Sequence, residues 1–97
     1  MPTFIISMNW TDQAIRAIKQ ARQRADYGRE LGKKFKVDYK ALYMTSGESD
    51  LLAIVDAPSG DDVAKFALAL SSRGNVRTRT RTAWPESEYL KMISELP

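Results

Sequence analysis

Cysteine and histidine are both absent from these 97 residues, and each absence removes a block of chemistry. Without cysteine there is no disulfide, thiolate nucleophile, iron–sulfur ligation or thiolate-bound zinc. Without histidine, a serine nucleophile lacks its usual general base. A metal would have to be held by carboxylates and carbonyls alone, and no Asp-rich loop has calcium-binding spacing, so neither metal nor cofactor is expected. Long apolar runs are missing as well. Phe4-Ile5-Ile6 and Leu51 to Val55 are strand-sized, and the N-terminal residues lack the charged and apolar regions of a signal peptide. The expectation is a cytoplasmic protein without a membrane segment, whose chemistry, if any, falls to Asp, Glu, Tyr, Lys or Arg.

What is present reads as one globular domain. Hydrophobic residues make up 43% and charged residues 28%, close to globular averages. A chain of this length removes about 65% of its unfolded surface on folding, enough for one modest core and no second domain. Lys and Arg outnumber Asp and Glu by 15 to 12, a mild excess whose placement matters more than its size. Lys33, Lys34 and Lys36 gather where the first helix should end, and the helix dipole accounts for them. Arg77, Arg79 and Arg81 fall within five residues and need another account.

The elements follow from hydrophobic period and punctuation. Residues 3–9 alternate, placing Phe4, Ile6 and Met8, then Trp10, on a core face and Thr3, Ile5, Ser7 and Asn9 on the other. Thr11 caps a long helix running to about Phe35, with Asp12 at its positive end. Its expected inward stripe is Ala14, Ile18, Ala21 and Ala25 flanked by Ile15 and Leu31. Gly28 and Gly32 each weaken a helix by about 1 kcal/mol relative to Ala, so its second half is the part more open to fraying or a break. Val37 to Met44 and Asp50 to Ala57 form a hairpin around Thr45-Ser46-Gly47-Glu48-Ser49. Both faces of the second of these strands are apolar, as for a strand covered on both sides. Ser59 opens a helix with Val63, Phe66, Ala67 and Leu70 inward, and Gly74 closes it. Asn75 to Trp84 alternates Arg with Thr, sending three arginines to one sheet face, and Pro85 starts a terminal helix with Tyr89, Leu90, Met92, Ile93 and Leu96.

Strand, helix, strand, strand, helix, strand is the split βαβ order of an α+β, ferredoxin-like fold: a four-stranded antiparallel sheet with two helices on one face, plus a C-terminal helix. The first and third strands are then central and the arginine strand lies at an edge, sharing the helix-free face with Thr3, Ile5, Ser7 and Asn9. An apolar third strand on an open face calls for a cover. The expectation is a second copy, two sheets forming a dimeric α/β barrel, with the terminal helix crossing to the partner or closing the barrel end.

Several short segments, in order and at matching spacing, resemble the GYD domain family over nearly the whole chain. They are Asn9-Trp10-Thr11-Asp12-Gln13, Tyr43, Gly47 with Asp50 entering Leu51 to Val55, Ala57-Pro58, Phe66-Ala67-Leu68-Ala69-Leu70 and Gly74-Asn75-Val76-Arg77-Thr78. Ser49 stands where the family's naming motif has Tyr before Asp, so a role resting on that phenol does not carry over. The resemblance implies a homo-oligomer of dimeric α/β-barrel type and transfers no reaction.

Candidate site residues are Asn9, Tyr43, Asp50, Arg77 and Arg79, as the lining of a pocket for a small anionic or aromatic metabolite. Each has a plain structural alternative. Arginines protect an edge strand or pair with carboxylates across an interface, Asp50 serves the turn, and Tyr43 packs in a core. A cofactor-independent oxygenase or isomerase rests on analogy of fold alone, with Asp50 as base. Nucleic-acid binding is disfavoured, because a recognition sheet stacks bases on aromatics of its central strands and Leu51-Leu52-Ala53-Ile54-Val55 has none.

Overall fold

The alternation in residues 3–10 and 76–83 forms a central strand and an edge strand of a four-stranded sheet. The computed structural model describes residues 1–97. Strands β1 (Thr3–Trp10), β2 (Asp38–Met44), β3 (Leu51–Asp56) and β4 (Val76–Ala83) lie in the order β2-β3-β1-β4, every neighbour antiparallel. Phe4, Ile6 and Met8 of β1 join Ala53 and Val55 of β3 under the helices. The register pairs Ile5 with Arg81, Ser7 with Arg79 and Asn9 with Arg77, so the three arginines share the helix-free face, as the alternation requires. These elements and this order are the expected α+β, ferredoxin-like arrangement.

Helix α3 (Gly60–Ser71) starts on Ser59, whose hydroxyl accepts from the Asp62 N–H at 3.3 Å, and buries Val63, Phe66, Ala67 and Leu70. Its end turns through Gly74 at φ 81, a left-handed position that favours glycine. The first helical segment departs from expectation. Instead of one helix to Phe35 there are α1 (Asp12–Arg16), a 3-10 turn (Ile18–Gln20) and α2 (Ala21–Lys34), with the break at Ala17, φ −116 and ψ 39. The glycine half is intact. Gly28 and Gly32 are buried because they allow α2 to approach: a Cβ on Gly28 would stand 3.2 Å from the Tyr39 hydroxyl, and one on Gly32 would stand 2.7 Å from the Val37 carbonyl oxygen. At the break the carbonyls of Ala14 and Ala17 accept from the N–H groups of Ala17 at 3.1 Å and Gln20 at 3.0 Å, and Arg24 adds a second donor to each, at 3.4 Å to Ala14 and 2.8 Å to Ala17. The expected stripe is corrected accordingly: Ala14 and Leu31 are buried, Ala21 and Ala25 are half-buried, and Ile15 and Ile18 are exposed.

Helix α4 (Glu86–Ser94) follows Trp84-Pro85 and has no buried residue. It makes no substantial contact with any strand or other helix. The chain exposes 6771 Å² at 11.0 kDa, whereas a compact monomer of that mass is expected to expose about 5,600 Å², an excess of about 1,150 Å². Its radius of gyration is 14.6 Å against about 12.5 Å for a compact chain. No helix is long and apolar enough to cross a membrane.

Candidate functional site

The two faces of the sheet offer different surfaces. On the helix-free face the side chains stand in rows across the strands, and one row reads Tyr43, Leu52, Ser7, Arg79. Tyr43 and Arg79 are therefore three strand spacings apart, about 14 Å. Asn9 and Arg77 are cross-strand neighbours, and Asn9 also donates to the Glu48 carbonyl at 2.8 Å. Asp50 belongs to the turn. Its carboxylate accepts from the Trp10 N–H at 2.9 Å, its own N–H donates to the Met8 carbonyl at 3.0 Å, and its carbonyl accepts from the Thr45 N–H at 2.8 Å. The five expected residues share a face or its rim without closing around a common point.

That face is apolar in its middle and charged at both edges. Ile5, Ala41, Leu52 and Ile54 are half-buried there with no protein over them. At one edge Lys40 is held by Asp38 at 3.0 Å and Asp56 at 3.7 Å. At the other, Arg81 donates to the Ser7 hydroxyl at 3.1 Å. The central strands present no aromatic ring to this face, so it lacks the stacking surface of an RNA-binding sheet.

The concave site lies on the opposite face. Only the second half of α2 is buried, and its first half leaves a cleft of about 850 Å³ between helix and sheet. Met8, Trp10, Leu42, Leu51, Leu70 and Val76 supply an apolar lining, with Ala17, Ala21 and Ala25 on the helical side. The polar groups in the wall are held in place. Gln13 donates to the Arg73 carbonyl at 3.1 Å and the Asn75 side-chain oxygen at 2.8 Å, while the Thr11 hydroxyl donates to the Gly74 carbonyl at 2.6 Å. Together they fasten α1 to the turn before β4. Arg73 lies over the Tyr27 ring at 4.3 Å, where the cation meets the negative face of the ring. Tyr39 packs edge-on to Phe66, ring centroids 6.0 Å apart, and burial pushes its phenol up to about 12, opposed by the nearby Arg29 charge.

The GYD domain profile matches residues 4–93. The chain belongs to the GYD domain family. A GYD-sized relative from Thermus thermophilus, named glutamine synthetase and cystathionine beta-lyase binding protein, is 33% identical over 94 residues, 96% of this chain and 99% of that one. Among solved structures, MtbAldR superposes with a TM-score of 0.67 at 19% identity, over 88% of this chain and 52% of its own, so this chain spans about half its length. The 5-chloro-2-hydroxyhydroquinone dehydrochlorinase of Burkholderia phenoliruptrix superposes at 0.60 with 17% identity, over 86% of this chain and 93% of its own. At these identities the structural matches establish the ferredoxin-like fold and nothing further.

Within this GYD chain, reasoning from sequence missed the helix-side cleft. One signal was available: Arg24 lies three residues after Ala21 and four before Gly28, on the inward side of the helix, where a guanidinium must find acceptors. Trp10 was read as core and is instead half-buried in the cleft wall. Ser49, at the position of the family's tyrosine, is half-buried in the hairpin and its carbonyl accepts from the Thr45 hydroxyl.

Proposed function

We propose that this GYD protein is a homo-oligomeric binding protein that takes a small ligand, with an apolar or aromatic body and an anionic group, into its helix-side cleft. The cleft carries the reading. About 850 Å³ is the size of a metabolite pocket, and apolar walls with a few placed polar groups are what such pockets use for affinity and orientation. Arg24 and Arg73 supply the cationic side: each guanidinium has five N–H donors, and neither is consumed by its present contacts. The oligomer rests on the open apolar face and on the excess surface, which a second copy laid sheet to sheet would remove. No reaction is part of the proposal, since the carboxylate of Asp50 is already engaged by the backbone of Trp10.

The aromatic anion 1-anilinonaphthalene-8-sulfonate tests it. In a Trp84→Phe background Trp10 is the remaining tryptophan of the two, so its quenching reports on the cleft alone. Saturable binding at one site per chain is expected, weakened about tenfold by Arg73→Ala, as for loss of one charge-assisted contact, and abolished by filling the cleft with Ala21→Phe. Binding that ignores Ala21→Phe refutes the proposal.

The Thermus relative motivates a second reading, in which this chain also docks on a metabolic enzyme. A mixture with the host's glutamine synthetase, measured by light scattering, should then contain a species heavier than either component. Two unshifted masses remove that reading.

A further inference from the structure

We propose that the free edge of β4 is a docking site for an extended segment of another protein that carries a carboxylate side chain at every second position. The segment adds to the four-stranded sheet as an antiparallel fifth strand, its backbone bonded to Thr78, Thr80 and Thr82 and its carboxylates paired with Arg77, Arg79 and Arg81. This goes beyond the small-ligand reading and needs neither the cleft nor a second copy.

The backbone of β4 has groups to offer. The carbonyls of Pro2 and Met8 accept from the N–H groups of Ala57 and Asp50, at 3.1 and 3.0 Å, and the Thr11 N–H donates to the Asn75 carbonyl at 3.1 Å. Even-numbered positions of β1 thus bond toward β3 and odd-numbered ones toward β4, since antiparallel pairing alternates. Ile5, Ser7 and Asn9 face Arg81, Arg79 and Arg77, so these arginines use their backbone N–H and C=O groups on β1. Thr78, Thr80 and Thr82 turn theirs to the outer edge, where no strand lies.

The two edges of the sheet differ. β2 loses register at a bulge between Tyr39 and Ala41, which spoils it as a template for pairing. β4 keeps register with β1 from Val76 to Ala83, with no bulge and no proline.

The side chains decide what can be added. Arg77, Arg79 and Arg81 are exposed on one face, and successive ones stand about 7 Å apart along the strand. The ion pairs of the chain use Lys33 and Lys40, so none of the three has a counter-charge, and Arg81 donates only to the Ser7 hydroxyl. In an antiparallel addition they fall in the pairs without backbone bonds, where facing Cα atoms are about 4.5 Å apart and side chains approach most closely. A carboxylate opposite each arginine gains a charge-assisted bond, whereas a neutral or basic residue leaves the charges unpaired. The arginines that guard the edge against other strands therefore admit a segment whose acidic period matches their own. A second copy's β4 does not fit, because it would set arginine opposite arginine.

The probe is a fluorescently labelled peptide in which Thr and Glu alternate over the length of β4, compared with a peptide of the same composition whose glutamates form one block. The alternating peptide is expected to bind the full chain at least about tenfold more tightly by anisotropy, and N-methylation of its threonines, whose N–H groups face β4, should abolish binding. Amide exchange at Thr78, Thr80 and Thr82 should slow in the complex, while Arg77, Arg79 and Arg81, already bonded to β1, change little. Reversing all three arginines to Glu should transfer the preference to a peptide alternating Thr and Lys, with circular dichroism confirming the fold. No binding, or equal binding of the alternating and block peptides, refutes the proposal. Binding that leaves exchange at the three threonines unchanged refutes the edge as the site. Threonine amides that are already protected in the chain alone, and more so at higher protein concentration, assign the edge to a second copy and refute the proposal as well.

Discussion

Gly32→Ala should destabilise this protein, against what helix propensity alone foretells. Gly in a helix interior costs about 1 kcal/mol relative to Ala, so a reader of the sequence expects a gain of that size. In the folded chain the added methyl would stand 2.7 Å from the Val37 carbonyl oxygen. An unstrained carbon–oxygen contact is about 3.3 Å or more, so the backbone must open by roughly half an ångström. That backbone is not free to move. The Val37 N–H donates to the Gly32 carbonyl at 2.8 Å, and Lys36 at φ 62 makes the reversal that brings Val37 back over α2. Overpacking costs about 1–3 kcal/mol, and a 2.7 Å contact with backbone rather than a side-chain tip belongs in the upper part of that range, about 2–3, so after the propensity gain the net loss is about 1–2 kcal/mol. For a domain of this size that lowers the thermal midpoint by roughly 5–10 °C. Gly28→Ala is the control, because its methyl would meet only the tip of Tyr39 at 3.2 Å, which can give way, so a change within about 0.5 kcal/mol is expected. Urea unfolding followed by circular dichroism, at one protein concentration because self-association adds stability, measures both. A Gly32→Ala chain as stable as the parent would refute the close-approach argument.

Burial of Tyr39 makes a pH prediction. Its phenol ionises near 12 folded and near 10 unfolded, so its stabilisation is whole below pH 10 and is lost as pH rises from 10 toward 12. About 2–3 kcal/mol is at stake over that window, and Tyr39→Phe should flatten the parent's fall in urea midpoint; equal slopes for the two chains would show that burial of the phenol is not the cause. Asp50→Ala removes the acceptor of the Trp10 N–H and should cost about 1–3 kcal/mol while speeding amide exchange at Trp10, with Asp50→Asn milder because an oxygen remains. Unchanged exchange at Trp10 in the alanine chain would mean that this bond holds nothing.

The fold was legible because its signals are local and redundant. Alternation in β1 and β4 assigned faces without reference to the rest of the chain, the hydroxyls of Thr11 and Ser59 each cap an N–H three residues on, and Gly74 acts through its own backbone conformation. The broken helix was not legible by propensity, since nothing at Ala17 resembles a breaker. The tightened turn keeps its carbonyls bonded to backbone N–H groups, and Arg24, seven residues on from Ala17, adds a side-chain donor that no local pattern announces. The glycines misled for a related reason. Propensity describes exposed helices, and at Gly28 and Gly32 the absent side chain is what lets α2 meet Tyr39 and the backbone of Val37.

The site was harder to read because alternation assigns residues to a face and says nothing of how far apart they stand on it. Asn9, Arg77 and Arg79 were given one side, Tyr43 shares it and Asp50 sits at its rim, and their spread over the width of the sheet leaves them without a common point within one chain. The cleft arises from space that Ala17, Ala21 and Ala25 leave unfilled, a property of volume rather than of pattern. This separation has a consequence for the two proposals. The proposed ligand cleft lies under α2, and the surface offered to a second copy lies on the other face of the same sheet. Sites this far apart, with no shared contact, should respond to substitution almost additively. Arg73→Ala should therefore weaken the aromatic anion while leaving the native mass unchanged, and Leu52→Asp, on the open apolar face, should lower the mass while leaving affinity per chain within about 0.5 kcal/mol. Loss of both properties in either variant would show that the cleft is completed by the second copy, and would make self-association a condition for binding rather than a separate use of the sheet.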